Sequence, residues 1–130
     1  MTLLSGCLVV LSLLSGFFDQ QAEESRRTVI TSISTDLPKE GNWWRVPKGV
    51  KQLTIQVEAK NAETVLFWII PTGTQTWGER ELIGYDKNGS DGWSLTWRFG
   101  DRKFHDHIQV QAIGDETVAN EIINVTSEYP

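Results

Sequence analysis

From Thr28 onward, apolar and polar residues alternate with the period of an extended chain. Gln52-Leu53-Thr54-Ile55-Gln56-Val57-Glu58-Ala59 alternates without error, so Leu53, Ile55, Val57 and Ala59 share one side of a half-buried strand. Trp93 to Phe99 repeats the pattern, with Trp93, Leu95, Trp97 and Phe99 on one side. His107 to Ile113 follows, with Ile108, Val110 and Ala112 facing inward. Thr64 to Ile70 is more continuously apolar and predicts a central strand covered on both sides. Thr28 to Ser34, Glu81 to Tyr85 and Asn120 to Ser127 complete about seven short strands.

Turn formers punctuate these segments: Pro47-Lys48-Gly49, Pro71-Thr72-Gly73, Lys87-Asn88-Gly89, Gly100-Asp101 and Gly114-Asp115. Glycine supplies positive φ there, and Asn and Asp hydrogen-bond turn backbone. No stretch after residue 25 has a helical period. The expected fold is therefore all-β, an antiparallel sandwich of about seven strands with Greek-key connections, spanning 28–127. Its predicted core is Leu53, Ile55, Val57, Val65, Phe67, Trp93, Leu95, Trp97, Ile108, Val110, Ala112, Ile123 and Val125. A one-residue slip would expose each of these side chains, so the pattern also fixes register.

Residues 1–22 follow a different rule. They hold one acid, Asp19, no Lys or Arg, and an almost unbroken apolar run from Leu3 to Phe18. That run suits a signal peptide or an amino-terminal membrane anchor, and nothing amphipathic marks it as a core helix. No cationic stretch precedes it, which leaves the true start open upstream of Met1. Leu3-Leu4-Ser5-Gly6-Cys7 is similar to a bacterial lipobox and makes Cys7 the candidate for lipidation, although apolar residues continue well past it. Residues 23–27 form a short charged linker. The expected location is extracytoplasmic, secreted or held at the cell membrane through this amino-terminal segment.

Composition narrows the functional classes. The chain has 130 residues and a net charge of -5 from 12 cationic and 17 acidic residues, which argues for one domain and against a nucleic-acid binder. Its one cysteine rules out an intramolecular disulfide, and the domain must rely on a packed core. Six tryptophans are unusual for this length.

The order of motifs in the second half resembles bacterial immunoglobulin-like domains. Val65-Leu66-Phe67-Trp68, Leu82-Ile83-Gly84-Tyr85-Asp86, Trp93-Ser94-Leu95-Thr96-Trp97, His107-Ile108-Gln109-Val110-Gln111-Ala112 and Ile122-Ile123-Asn124-Val125 match its successive strands. The resemblance implies an immunoglobulin-like sandwich on a secreted or surface protein, without a catalytic residue. Two features depart from it: the long loop from Pro71 to Arg80, and Asn42-Trp43-Trp44-Arg45, which has no counterpart there.

Candidate chemistry is sparse. His105 and His107 would share a strand face and could hold a metal ion, but no cysteine or third histidine completes a site, and no metal or cofactor is predicted. Asp86, Asn88, Ser90 and Asp91 lack the spacing of a calcium loop and suit a hairpin turn. No nucleophile elbow or specific carboxylate pair appears, so no enzyme is expected.

The tryptophans carry the remaining signal. Trp93 and Trp97 are in phase with Leu95 and belong to the core. Trp43 and Trp44 are adjacent, so one of them points outward; Trp68 is out of phase with Val65 and Phe67; Trp77 lies in a polar loop. These rings either cap the ends of the core or present flat faces to a ligand. Two functions follow: a non-catalytic binding or structural module at the cell surface, or a carbohydrate-binding module using loop tryptophans. Candidate contact residues are Trp43, Trp44, Trp68 and Trp77, with Arg45 and Arg80 beside them, and the expected partner is a cell-wall polysaccharide or a surface protein. Oligomeric state is not legible in the sequence.

Overall fold

The computed structural model describes residues 26–71 and 77–127. Cys7 and the rest of the leader lie outside the described residues, as does the loop ahead of Trp77. Nine strands follow in order: β1 Val29–Thr35, β2 Lys39–Glu40, β3 Trp43–Val46, β4 Gln52–Lys60, β5 Thr64–Pro71, β6 Glu81–Asp86, β7 Trp93–Arg98, β8 His105–Ile113 and β9 Val118–Ser127. A short 3-10 turn, Trp77–Glu79, precedes β6. Among the described residues, no helix is long and apolar enough to cross a membrane.

The strands form two sheets packed as an immunoglobulin-like sandwich. The smaller has the order β1-β4-β7 and the larger the order β2-β3-β9-β8-β5-β6. Seven strands match the periodicity, and two more arise from Lys39 to Val46. The described pairs are antiparallel, as expected, with one exception: β3 runs parallel to β9. The reason is local. After β1 the chain crosses to the other sheet, fixed by Asp36, whose Oδ1 accepts the Thr54 N–H at 2.9 Å. Leu37 plugs the crossing, 8% exposed. A tight reversal through Gly41, at φ 59°, then turns β2 into β3. After that reversal β3 resumes the direction of β1, which β9 shares, so the two can pair only in parallel.

The core lies between the sheets. Leu53, Ile55, Val57, Val65, Phe67, Ile108, Val110, Ala112 and Val125 are buried as the alternation requires, and Trp93, Leu95, Trp97 and Ile123 pack half-buried against them. Four further buried residues, Leu37, Val46, Ile69 and Phe104, complete it. Phe104 meets Phe99 edge-on at 4.8 Å and Trp97 at 5.3 Å between ring centroids. Its backbone N–H donates to Ser127 Oγ at 2.7 Å, which ties the start of β8 to the end of β9.

One expectation for β5 does not hold. Val65, Phe67 and Ile69 are buried, but Leu66, Trp68 and Ile70 on the other side are only half-buried. The strand is central, between β8 and β6, yet its second face is part of the outer surface of the larger sheet.

Candidate functional site on the outer face of the larger sheet

The two outer faces differ in chemistry. On the smaller sheet the outward rows are Ser32-Glu58, Ser34-Gln56-Ser94, Thr54-Thr96 and Gln52-Arg98, with Val29 beside Lys60 at the edge, and none carries an aromatic ring. The Thr54 and Thr96 hydroxyls share a hydrogen bond at 2.9 Å.

The outer face of the larger sheet is aromatic and amide-rich. Register places Trp43, Asn124, His107 and Ile70 in one row across β3, β9, β8 and β5. The next row is Ile122, Gln109, Trp68 and Leu82, and the one after it is Asn120, Gln111, Leu66 and Tyr85. A bulge in β6, where the register shifts opposite Phe67 and Trp68, brings Leu82 and Tyr85 to the same side although they are three residues apart. Tyr85 is 58% exposed, Ile122 50% and Leu82 43%, so this face presents large apolar groups to solvent.

Two stacks stand on it. The Trp43 ring lies on His105 with centroids 4.4 Å apart and planes within 10°, and His107 is 6.2 Å away. Across the sheet, the Arg80 guanidinium sits over Trp68, 4.0 Å from its centroid, as a cation over an aromatic face. Arg80 Nη1 also donates to Gln109 Oε1 at 2.9 Å.

The amides of this face hold each other in place. Gln109 is buried at 2% exposure, and its Nε2 donates to Asn120 Oδ1 at 2.8 Å. Trp68 Nε1 donates to Gln111 Oε1 at 3.2 Å. Asn124 Nδ2 donates to the Asn42 carbonyl at 3.1 Å, which turns Asn124 Oδ1 toward His107 Nδ1 at 2.6 Å. His107 Nδ1 must then be the donor, and in the neutral ring Nε2 carries the lone pair. Gln111 Nε2, Asn120 Nδ2 and His107 Nε2 take no partner among the described residues. Glu40 is the one carboxylate among the described outward strand residues of this face, and it pairs with Arg45 Nε at 3.1 Å.

The structure places the sequence candidates as follows. Trp43, Arg45, Trp68 and Arg80 share this face. Trp43 and Trp68 sit on strands rather than loops. Trp44 points to the opposite side of β3 and packs half-buried against the core, with Lys39 Nζ 5.1 Å from its ring centroid. Trp77 opens the 3-10 turn, and its side chain lies outside the described residues. Sequence reasoning missed Gln109, Gln111, Asn120, Asn124 and the pairing of His105 and His107 with Trp43. His105 and His107 bond to Thr126 and Asn124 of the neighbouring strand, within the sheet. Among the described residues, no three His, Cys, Asp or Glu side chains gather as metal ligands. The Asp86 turn is held by its own side chains: Asp86 Oδ1 accepts the Asn88 N–H and Oδ2 the Ser94 N–H.

No protein-family model matches the sequence, and no curated protein matches it. Among solved structures, it is similar to a Bacillus amyloliquefaciens CBM33 in complex with Cu(I) after photoreduction, at TM-score 0.50 and 15% identity over 65% of this chain. The matched region spans 55% of that protein's length. FN3tt gives TM-score 0.49 and 9% identity, covering 78% of this chain and 94% of that one. A chain from a structure on T cell specificity and activation by the bacterial superantigen toxic shock syndrome toxin-1 gives 0.49 and 10%, covering 75% of this chain and 98% of that one. At such identities the CBM33 likeness concerns the sandwich alone.

Proposed function

We infer that this domain is a non-catalytic, extracytoplasmic binding module of the bacterial cell surface, held or exported through residues 1–22. Its contact surface is the outer face of the six-stranded sheet. The observation that carries this reading is the asymmetry between the two outer faces. Both are outer surfaces of the same sandwich. Only the larger carries Trp, His, Tyr, Leu and Ile in outward positions, together with amides whose orientations are fixed by neighbours. A merely solvated face needs none of these, whereas recognition surfaces use rigid aromatic groups with pre-oriented polar ones beside them.

The carbohydrate-binding alternative moves with this reading from the loops to the sheet. Trp43 and Trp68 support it as members of one face, and Trp44 does not.

Hydroxyl-radical footprinting of the full chain with isolated cell envelopes tests the contact surface. Protection of Trp43, Trp68 and Tyr85, with Thr54 and Thr96 unchanged, is the expected result. Uniform reactivity with and without envelopes would remove the face as a contact surface.

A further inference from the structure

We propose that this face binds an uncharged pyranoside chain, laid across β9, β8 and β5 between the Trp43–His105 stack and the Arg80–Trp68 stack. The assignment rests on the reading of the face as the contact surface and adds the class of ligand.

Three features point to a sugar chain rather than a protein. The first is the order of polarity. Protein interfaces place apolar anchors at the centre and polar groups at the rim. Here the space between the two planar stacks holds Asn124, His107 and Gln109 beside Ile122, with Asn120 and Gln111 one row further, so amides and an imidazole surround a single exposed apolar residue. A pyranose has apolar C–H faces and a girdle of hydroxyls, each both donor and acceptor, so it needs flat groups and amides in alternation.

The second feature is charge. In a chain of net charge -5, the sole outward carboxylate among the described strand residues of this face is neutralised by Arg45 at 3.1 Å. An uncharged chain therefore covers no unpaired carboxylate when it displaces water.

The third is reach. Trp43 and Trp68 lie three strands and two residues apart, about 16 Å between Cα atoms by strand spacing, which suits a short oligosaccharide rather than one ring. The His107 Nε2 acceptor lies along that path, and the donors left on Gln111 and Asn120 lie one row to its side.

The test is calorimetric titration of the full-length protein in detergent with cellohexaose and chitohexaose, and with hexagalacturonate as the anionic comparison. The expected result is saturable binding of a neutral hexasaccharide with Kd between about 10 µM and 1 mM, because a shallow face excludes little water. Trp43→Ala and Gln111→Leu should each weaken it about tenfold or more. Gln111→Leu, nearly equal in volume, should lose the Trp68 Nε1 bond yet remain folded with a cooperative thermal transition, and Thr96→Ala on the other sheet should keep the affinity. Binding confined to hexagalacturonate, or no binding of either neutral probe at about 10 mM, would overturn the sugar assignment. Sedimentation with isolated envelopes separates the two levels. Retention lost in Gln111→Lys without hexasaccharide binding leaves the contact face standing and overturns the sugar; retention unchanged in Gln111→Lys overturns both.

Discussion

His107 and Asn124 face each other across β8 and β9 with 2.6 Å between Nδ1 and Oδ1, and the Asn42 carbonyl decides which of them donates. Because Asn124 Nδ2 is committed to that carbonyl, the imidazole must present its Nδ1 proton to Asn124 and leave Nε2 as the acceptor. A main-chain atom at the start of β3 thus sets the tautomer of a side chain two strands away.

This relationship can be read directly. In the neutral ring, nitrogen chemical shifts should report a protonated Nδ1 and an unprotonated Nε2. Asn124→Leu should remove that preference and cost about 1 kcal/mol of stability, the net value of an ordinary hydrogen bond. A tautomer ratio unchanged in Asn124→Leu would show that the amide does not orient the ring.

The aromatic cluster at the sandwich end should be a major stabilising element. Phe104, 1% exposed, contacts both Trp97 and Phe99. Trp97→Ala and Phe104→Ala should each cost about 3–5 kcal/mol, and the two should not add, since the rings share one cavity. The denaturant midpoint of each variant and of the double variant checks this. An unchanged midpoint for Trp97→Ala would take that ring out of the core.

Gly114 should tolerate no side chain. A Cβ there would run into Thr28 Oγ1 and the Asn61 carbonyl, which are themselves hydrogen-bonded at 3.1 Å. Gly114→Ala should destabilise by about 1–3 kcal/mol through overpacking. Gly78→Ala, with open space around the added carbon, should be close to neutral. Equal thermal midpoints for the two variants would contradict the close packing of β1 on the β8–β9 turn.

How far the sequence leads differs between fold and face. The alternation in β4, β7 and β8 identified those strands and their inward sides, because only an extended chain turns every second residue to the same side over six or more positions. β2 and β3 escaped because segments of two and four residues are too short to show a period. Phe104 escaped because it is an isolated apolar residue between Lys103 and His105, buried where the start of β8 meets the end of β9. On the outer face, Trp68 was legible from its phase, and the adjacent Trp43 and Trp44 showed that one ring points outward but not which. Gln109, Gln111, Asn120 and Asn124 were not, because an amide on the polar side of a strand reads as ordinary solvation. One signal was present in the unbroken run from Leu66 to Ile70: its outward residues mark a surface with a use as readily as a covered strand.

Location has its own test. Fractionation of cells expressing the full chain should place it in the membrane or outside the cell. A fatty-acid analogue should label it if Cys7 is the anchor, and Cys7→Ser should abolish that label. A soluble cytoplasmic pool with an intact amino terminus would contradict export.

The proposed contact surface rests on the inequality of the two outer faces. A matched pair of charge substitutions tests it: Gln111→Lys on the larger sheet and Thr96→Lys on the smaller, each in the full chain, with retention on isolated cell envelopes as the readout. The predicted result is retention lost in Gln111→Lys, about tenfold or more, and kept in Thr96→Lys, with both variants folded. Equal retention of the two, or loss in Thr96→Lys alone, would contradict the assignment of the larger sheet as the contact surface.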